Sequence, residues 1–421
     1  MFKLNERSDL LNVAIIKVIT FFINPLIVIL IVQLYGKENF GIYTLLISTT
    51  LYLVTPIAYS INQLVFRERV LNDSSSIIRD SLTKFIYIAL GTILLAYFII
   101  RKANLNFSII EIFFLAIIAI CLLCAARYKA EVRSFGMIFQ SQIFDLLIKI
   151  VFAFGLLLIF FINKIYYLYS FSPILIYANY AVGSFLALIF FVYFFHRPIT
   201  IDKGFSQIEP SSKSMLKKSF KSFILVAIPS FGNLWYSEGI VVAFGIFGTI
   251  GDVAILKICL TITALMSAPL TIINLVYAKR MAENIEHYSQ FIRYFRKARL
   301  LAFLGTLSIC IILISFMPLI GKIFLVPTLE RDNLTIIFLM FSFLISSWCG
   351  PVGQLMILIK KENKAMQYSL LSFLLSVVIF FLFVGIYGIH AAAFAILTGN
   401  AFVNIIFYFQ VNKFFKVIHD I

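Results

Sequence analysis

Long apolar runs separated by short polar connections make up most of the chain. Most runs reach the ~20 apolar residues that cross a bilayer as an α-helix. They are continuous rather than alternating, which argues against a membrane β-barrel. The pattern therefore predicts roughly a dozen transmembrane helices, at about 10–34, 41–65, 82–100, 109–127, 136–162, 172–195, 222–247, 251–276, 299–319, 334–358, 365–386 and 388–411.

The composition narrows the class of protein further. Of the 421 residues, 62% are hydrophobic and only 13% are charged, whereas soluble domains carry about 25% charged residues. A soluble enzyme, a coiled coil and a disordered chain are excluded. All five cysteines fall inside apolar runs, so Cys121 and Cys124 are expected to pack on one helical face rather than bind a metal.

The basic residues predict the orientation of the helices. With the N-terminus in the cytoplasm, inside segments hold 26 of the 35 lysines and arginines and outside segments hold 6. This asymmetry predicts that both termini are cytoplasmic. The net charge of +16 is then mainly a signal of topology. Four charged residues beside the connection between the fourth and fifth spans are expected to be largely solvated: Arg127, Lys129, Glu131 and Arg133.

The longest polar connection divides the predicted spans into two groups of six. It predicts an N-terminal lobe at 1–195, a cytoplasmic linker at 196–221 and a C-terminal lobe at 222–421. Both groups of spans start on the cytoplasmic side. An internal repeat would therefore have the same membrane orientation in both groups, and its pseudo-two-fold axis would lie along the membrane normal. When the second group of spans is aligned with the first, Pro56 matches Pro269. The predicted fold class is an all-α polytopic membrane protein with two six-helix lobes.

Charged residues inside the spans are the first candidates for function. They are Lys17, Asp145, Lys149, Glu238 and Lys257. A charge at a helix centre costs ~2.5–3.5 kcal/mol on insertion scales, so these side chains are expected to face water, a partner or a substrate. Other interpretations stay open, since lysines can extend to the interface and Asp145 with Lys149, four residues apart, can form a structural pair.

Polar stripes and prolines add further candidates. Asn24 continues the face of Lys17, while Tyr52 and Tyr59 lie on one polar face of the second span. Such a face suits a hydrated cavity, although hydroxyl groups also serve helix packing. Pro56 and Pro269, with Pro25 and Pro229, lie in the first two helices of each half. Prolines bend helices, which suits a transporter that opens alternately to either side.

The sequence offers little for catalysis. There is no G-x-x-x-x-G-K-[ST] loop for ATP, and the four histidines are scattered. No cofactor is expected apart from a coupling H⁺ or Na⁺, and no nucleic acid partner is expected. Transport is therefore favoured over enzymatic activity.

A short motif and the overall architecture resemble a known family. The run LYGKENFGIY at 34–43 and its weaker counterpart FGTIGDVA at 247–254 resemble the signature of bacterial polysaccharide flippases. The chain is most similar to O-antigen (Wzx-type) flippases of lipid-linked oligosaccharides, in the superfamily of multidrug extruders and the lipid II flippase.

This resemblance implies a function in lipopolysaccharide biosynthesis. The protein would move undecaprenyl-pyrophosphate-linked O-antigen units across the bacterial inner membrane by alternating access. Its partners would be that lipid, membrane lipids and other O-antigen assembly proteins. The implied substrate-binding residues are Lys17, Lys149, Lys257, Asn24, Tyr52 and Tyr59. The implied gating or coupling residues are Asp145, Glu238, Pro56 and Pro269.

Two other functions stay open. A cation-coupled multidrug exporter of the same fold would favour acidic residues in its cavity, and here lysines outnumber acids within the spans by three to two. A glycan polymerase or ligase would need a large outside loop, and the longest predicted outside connection is about 320–333.

Overall fold

The structure is a computed structural model, and every helix named below lies in the part of the chain that it describes. That part comprises residues 6–72, 108–135, 137–166, 172–196, 227–283, 288–324, 333–359 and 361–419, with positions 91, 94 and 98. By length and composition, eight helices in this part can cross a membrane, and Leu334–Cys349 is a shorter apolar helix. The chain is a multi-pass membrane protein.

The predicted spans coincide with helices wherever the structure describes them. The exception is 82–100, which falls almost entirely outside the described residues. The total of about twelve spans and the cytoplasmic position of both termini stay predictions.

The chain divides into two compact units. The first unit is Met1–Ile246 and the second is Phe247–Ile421. The helical residues 227–246, which belong to the predicted seventh span, lie in the first unit. The predicted linker lies outside the described residues except for its first position, so the lobe boundaries at 195 and 222 stay predictions.

In its described residues, the first unit contains four long helices and a fifth with an irregular turn. The long helices are α1 (Glu6–Asn72), α2 (Ile109–Ser134), α3 (Ile138–Tyr166) and α4 (Ile174–Phe191), which continues as a π-helical turn at Val192–His196. Residues 227–234 are helical. They lead through a π-helical turn, Trp235–Gly239, into α5 (Ile240–Phe247).

Helix α1 is broken at a single glycine. Gly36 has φ 80° and ψ 168°, a conformation that glycine adopts at little cost because it has no Cβ. Asn39 Nδ2 donates a hydrogen bond to the Tyr35 carbonyl across this break, at 2.8 Å. The apolar segment Ala14–Gln63 has 50 residues, long enough for two crossings of a ~30 Å core. The predicted loop between the first two spans is thus reduced to one non-helical residue.

Apolar clusters hold the helices of the first unit together. Val54, Ile57 and Ile61 of α1 pack against small residues of α2 such as Ala119 and Ala126. A second cluster joins α2, α3 and α4 and contains Ala125, Val132, Phe144, Ile148, Ala187 and Phe191. Asn62 Nδ2 donates to the Ala126 carbonyl at 3.0 Å, which ties α1 to α2.

The second unit is also helical throughout the residues that the structure describes. Its elements are α6 (Ile250–Ala264), a 3-10 turn (Leu265–Ser267), α7 (Ala268–Glu283), α8 (Tyr288–Ser315), α9 (Met317–Ile323), α10 (Asn333–Cys349), α11 (Val352–Leu358), α12 (Glu362–Tyr387) and α13 (Ile389–His419). Thr249 caps α6, because its hydroxyl accepts a hydrogen bond from the Asp252 N–H at 3.2 Å.

Neutral hydrogen bonds connect α10, α12 and α13. Asn400 and Asn404 of α13 donate to the hydroxyls of Ser342 and Ser346, at 2.9 and 3.0 Å. Ser376 of α12 donates to the Ala395 carbonyl at 2.7 Å. Small buried residues at this part of α13 allow the close approach: Ala391, Ala392, Ala393 and Ala395.

Candidate functional site

A bidentate ion pair joins α2 to α3 inside the first unit. Lys129 Nζ lies 2.9 Å from Asp145 Oδ1 and 2.8 Å from Oδ2. The ammonium group also lies 5.8 Å from the centre of the Phe144 ring. The Lys129 side chain is 19% exposed and the Asp145 side chain is 40% exposed. The carboxylate is therefore held by Lys129 but remains accessible.

Two further lysines contribute to the electrostatics of the same carboxylate. Lys17 of α1 and Lys149 of α3 are both partly buried, and both interact electrostatically with Asp145. Among the described residues, neither ammonium group makes a hydrogen bond or a direct ion pair. We call Lys17, Lys129 and Lys149 around Asp145 the lysine cluster. It brings three positive charges to one negative charge.

The position of this cluster follows from packing on the adjacent face of α3. Phe144 and Ile148 of α3 are buried in the apolar cluster, and each immediately precedes one of the charged residues, Asp145 or Lys149. Asp145 and Lys149 are one helical turn apart. The sequence suggested that these two residues form a pair, but the carboxylate bonds directly to Lys129 of α2 instead.

The end of α2 carries a second group of charges. Arg127 Nε lies 3.2 Å from Glu131 Oε1, and Glu131 is only 2% exposed. Arg133 Nη2 donates to Gln63 Oε1 of α1 at 3.4 Å. The prediction that this segment is largely solvated is wrong, because α1 and α3 pack against α2 here and cover it.

An acidic residue lies among tyrosines in the same unit. Glu238 is part of the π-helical turn, a type of irregularity that is frequent at functional sites. It interacts electrostatically with Tyr43 of α1 and Tyr180 of α4. Tyr180 also interacts with Asp145. We call Glu238, Tyr43 and Tyr180 the acid–tyrosine site, which adjoins the lysine cluster through Tyr180.

Aromatic rings surround the acid–tyrosine site. The ring centres of Tyr43 and Tyr177 are 5.6 Å apart. The centres of Phe152 and Tyr180 are 4.9 Å apart. Asn179 Nδ2 donates to the Phe152 carbonyl at 3.0 Å, which fixes α4 against α3. Tyr43 and Tyr180 are therefore both part of an aromatic layer, and both interact electrostatically with Glu238.

The other predicted site residues of the first unit have different surroundings. Tyr52 packs edge-on against Phe231, with ring centres 5.7 Å apart, and its ring also lies against Gly239. Tyr59 is 49% exposed and interacts with Arg133. Pro56 is buried and Asn24 is partly buried. The structure thus places Tyr52 beside the π-helical turn, whereas Tyr59 is at the end of α2 with the arginines.

Two predicted site residues belong to the second unit. Lys257 of α6 is partly buried, and its carbonyl accepts a hydrogen bond from the Thr261 hydroxyl at 2.8 Å. Pro269 is the second residue of α7 and follows the 3-10 turn Leu265–Ser267. The structure therefore brings Lys17, Asp145 and Lys149 together in the first unit, while Lys257 lies in the second.

Lys129 is the residue of this site that the sequence interpretation missed. It was assigned to the surface because it lies near the end of a predicted span. Its spacing carried a signal, however, since Ala125, Lys129 and Val132 share one helical face, and Ala125 and Val132 are buried. Within the described part of the chain, no group of three His, Cys, Asp or Glu side chains could hold a metal ion.

Comparison with known proteins identifies the fold. No protein-family model and no curated protein matches the chain. A multidrug resistance MATE family transporter of the MOP superfamily, solved in an inward-facing conformation, is 13% identical with a TM-score of 0.72, over 97% of this chain and 99% of that one. Its outward-facing counterpart is 12% identical with a TM-score of 0.63, over 98% and 96%.

A third solved structure extends the comparison beyond drug transport. It is a MOP superfamily transporter from Pyrococcus furiosus, described as having a binding pocket of reverse polarity that suggests a different function. It is 12% identical to this chain, with a TM-score of 0.68, over 97% of this chain and 95% of that one. These likenesses establish that the chain has the fold of MOP superfamily transporters.

Proposed function

We propose that the protein moves an anionic, sugar-bearing lipid headgroup from the cytoplasmic to the periplasmic leaflet of a bacterial inner membrane. The substrate class is undecaprenyl-pyrophosphate-linked O-antigen oligosaccharide. The movement is alternating access, in which the headgroup enters from one side and leaves on the other. The observation that carries this proposal is the lysine cluster.

The charge balance of the cluster favours an anion. Three lysines face one carboxylate, and neither Lys17 nor Lys149 has a direct partner in the described part of the chain. An uncompensated charge within the membrane is costly and usually functional. A pyrophosphate brings two negative charges, which would neutralise the surplus, and charged hydrogen bonds to lysine are about twice as strong as neutral ones.

The rest of the substrate explains why a protein is needed. A glycan carries many hydroxyl groups, and each unpaired one costs several kcal/mol in hydrocarbon. The polyprenyl chain is apolar and can stay in the bilayer. A polar path for the headgroup alone is therefore sufficient, and Asn24, Tyr52, Tyr59 and Lys257 are proposed to contact the glycan or pyrophosphate along it.

The acid–tyrosine site is proposed to couple transport to H⁺ or Na⁺. Glu238 offers a carboxylate and the two tyrosines offer hydroxyl oxygens. Because Tyr180 interacts with both Glu238 and Asp145, a cation at Glu238 would alter the field at the lysine cluster. Pro56 and Pro269 are proposed to absorb helix bending as the site opens to either side.

Complementation of a gene deletion tests the proposal. A host lacking this gene should lose long-chain lipopolysaccharide, and the wild-type gene should restore it. Lys149→Gln should restore little, because it removes an unpaired cation of the site. Lys164→Gln is the matched control, since Lys164 lies on the same helix but is exposed. Full restoration by a normally inserted Lys149→Gln protein would contradict the proposal.

A second candidate function is export of cationic drugs coupled to H⁺ or Na⁺. Glu238 among aromatic rings favours it, because an acid and the faces of aromatic rings attract organic cations. Drug susceptibility separates the two functions. If Glu238→Gln abolishes drug resistance conferred by the wild-type protein and surface glycan is unaffected by deletion of the gene, drug export is supported.

A further inference from the structure

An arginine on α8 of the second unit lies beside a pair of aromatic rings. Arg299 Nη1 lies 2.7 Å from the Tyr408 hydroxyl of α13. The guanidinium carbon lies 5.5 Å from the centre of the Tyr408 ring and 6.0 Å from that of Trp348 on α10. The two rings are 5.5 Å apart. We call Arg299, Trp348 and Tyr408 the arginine–aromatic site.

The guanidinium group has more donors than partners. Arginine carries five N–H donors, and the Tyr408 hydroxyl is the one hydrogen-bond acceptor found for Arg299 among the described residues. No carboxylate in the described part of the chain forms an ion pair with it. Arg299 is also only partly exposed. A partly buried guanidinium with spare N–H donors and no acidic partner favours binding of an anion.

The backbone fixes the direction of this side chain. Gly350, which has φ +82°, lies so close that an added Cβ would be 3.0 Å from both Cβ and Cγ of Arg299. On the other side, Ala298 is fully buried in the apolar cluster of the second unit. An arginine held in this way loses little side-chain entropy when a ligand binds.

We propose that the arginine–aromatic site binds the phosphodiester of an anionic glycerophospholipid. The guanidinium fork matches two phosphate oxygens. This inference is independent of the proposed transport function, because it concerns a different unit and a lipid of the surrounding membrane.

The surroundings favour a lipid over free phosphate. Trp348 is 50% exposed and Phe409, next to Tyr408, is 65% exposed. Tryptophan and tyrosine side chains of membrane proteins are enriched at the level of the lipid headgroups, and the exposed apolar surface beside Trp348 suits acyl chains. The predicted topology places this end of α8 on the cytoplasmic side, where anionic lipids attract basic residues.

Lipid titration of the purified full-length protein tests the site. The probe is dioctanoyl phosphatidylglycerol, and bound lipid is counted by native mass spectrometry. We expect Arg299→Gln to weaken binding ~10-fold or more, since it removes a charged hydrogen-bond donor pair. Arg299→Lys should recover only part of the loss, because lysine lacks the planar fork.

The control variant removes the same charge from the surface of the same helix. Arg296 is exposed on α8, so Arg296→Gln should change binding by less than ~2-fold. Trp348→Leu should weaken lipid binding without removing a charge. This variant keeps the proposal testable if Arg299→Gln fails to fold. Three results would overturn the proposal: unchanged binding by Arg299→Gln or Trp348→Leu, equal losses in Arg296→Gln, or equally tight binding of inorganic phosphate.

Discussion

The two units differ in how their helices are joined across their interiors. In the first unit, Lys129 pairs with Asp145, while Lys17 and Lys149 interact electrostatically with the same carboxylate and have no direct partners among the described residues. In the second, α10, α12 and α13 are joined by serine and asparagine side chains. Neutral groups of this kind are satisfied by their neighbours. The positive charges of the lysine cluster, in contrast, are not neutralised by the carboxylate of Asp145 alone.

This difference indicates that the neutral side chains serve helix packing, whereas the surplus lysines serve function. Neutral hydrogen bonds between membrane helices contribute about 0.6 kcal/mol each on average, and they leave nothing for a substrate to neutralise. A surplus of lysines in the membrane lowers stability instead, so it is retained only where a ligand uses it. The comparison predicts that substitutions in the lysine cluster change transport, whereas substitutions of the serine and asparagine side chains that join α10, α12 and α13 change stability.

The largest effect is expected for Lys149→Met. Transport should fall ~10-fold to 150-fold, the range of one lost charged contact. Stability should rise by about 1 kcal/mol or more, because an unpaired charge leaves the membrane interior. Transport in proteoliposomes and the midpoint of thermal unfolding in detergent measure the two effects. A variant that loses both transport and stability would show that Lys149 is structural.

Asp145→Asn should have the opposite effect on binding. The carboxylate competes with an anionic headgroup for the three lysines, and one opposing charge at this range is worth about 1 kcal/mol. Affinity for a pyrophosphate-bearing lipid should therefore rise ~5-fold, measured by titration of the purified protein. Asp252→Asn is the control, since Asp252 lies in the first turn of α6 in the second unit. Weaker binding by Asp145→Asn would show that the carboxylate itself helps to hold the substrate.

Asn400→Ala tests the neutral interior of the second unit. The substitution leaves the Ser342 hydroxyl without its donor and should cost about 0.6–1.7 kcal/mol, seen as a lower midpoint of thermal unfolding. Transport per folded molecule should stay within ~2-fold of wild type. A large loss of transport at unchanged stability would contradict the purely structural role of these neutral side chains.

An effect on stability of similar size is expected at the break in α1. Gly36→Ala should cost about 1–2 kcal/mol, because a Cβ disfavours the positive φ, although nothing lies within 4 Å of the added atom. Gly385→Ala is the control: it also meets no atom, and its backbone is helical. That variant should be neutral or slightly more stable. Equal midpoints of thermal unfolding for both variants would show that the conformation of Gly36 is not required.

The sequence predicted the helices far better than the charge contacts. Hydropathy alone located the helices because each span must satisfy its own backbone in lipid. The loop predicted around Gly36 is a single-residue break, since one glycine in the left-handed region suffices to separate two helices. Pro269 was predicted to bend the eighth span. In the structure, the 3-10 turn Leu265–Ser267 interrupts the α-helix just before this proline.

The candidate site could be predicted only in part. Lys17, Asp145 and Lys149 were identified individually, because a charge within an apolar run is visible in the sequence. The partner of Asp145 was not, since the spacing of four residues suggests Lys149 while the actual contact spans 16 positions and two helices. Tyr43 and Tyr180 were missed because tyrosines are common in membrane spans, and their relation to Glu238 arises only from the packing of α1, α4 and the π-helical turn.

Reconstituted transport tests the central claim most directly. Proteoliposomes would contain the purified protein and, in separate samples, a fluorescent pyrophosphate-linked oligosaccharide lipid or a fluorescent organic cation. The lysine cluster predicts that wild-type protein moves the anionic lipid, that Lys17→Gln with Lys149→Gln abolishes this movement, and that Lys164→Gln does not. Movement of the organic cation but not of the anionic lipid, unaffected by loss of both lysines, would contradict the account.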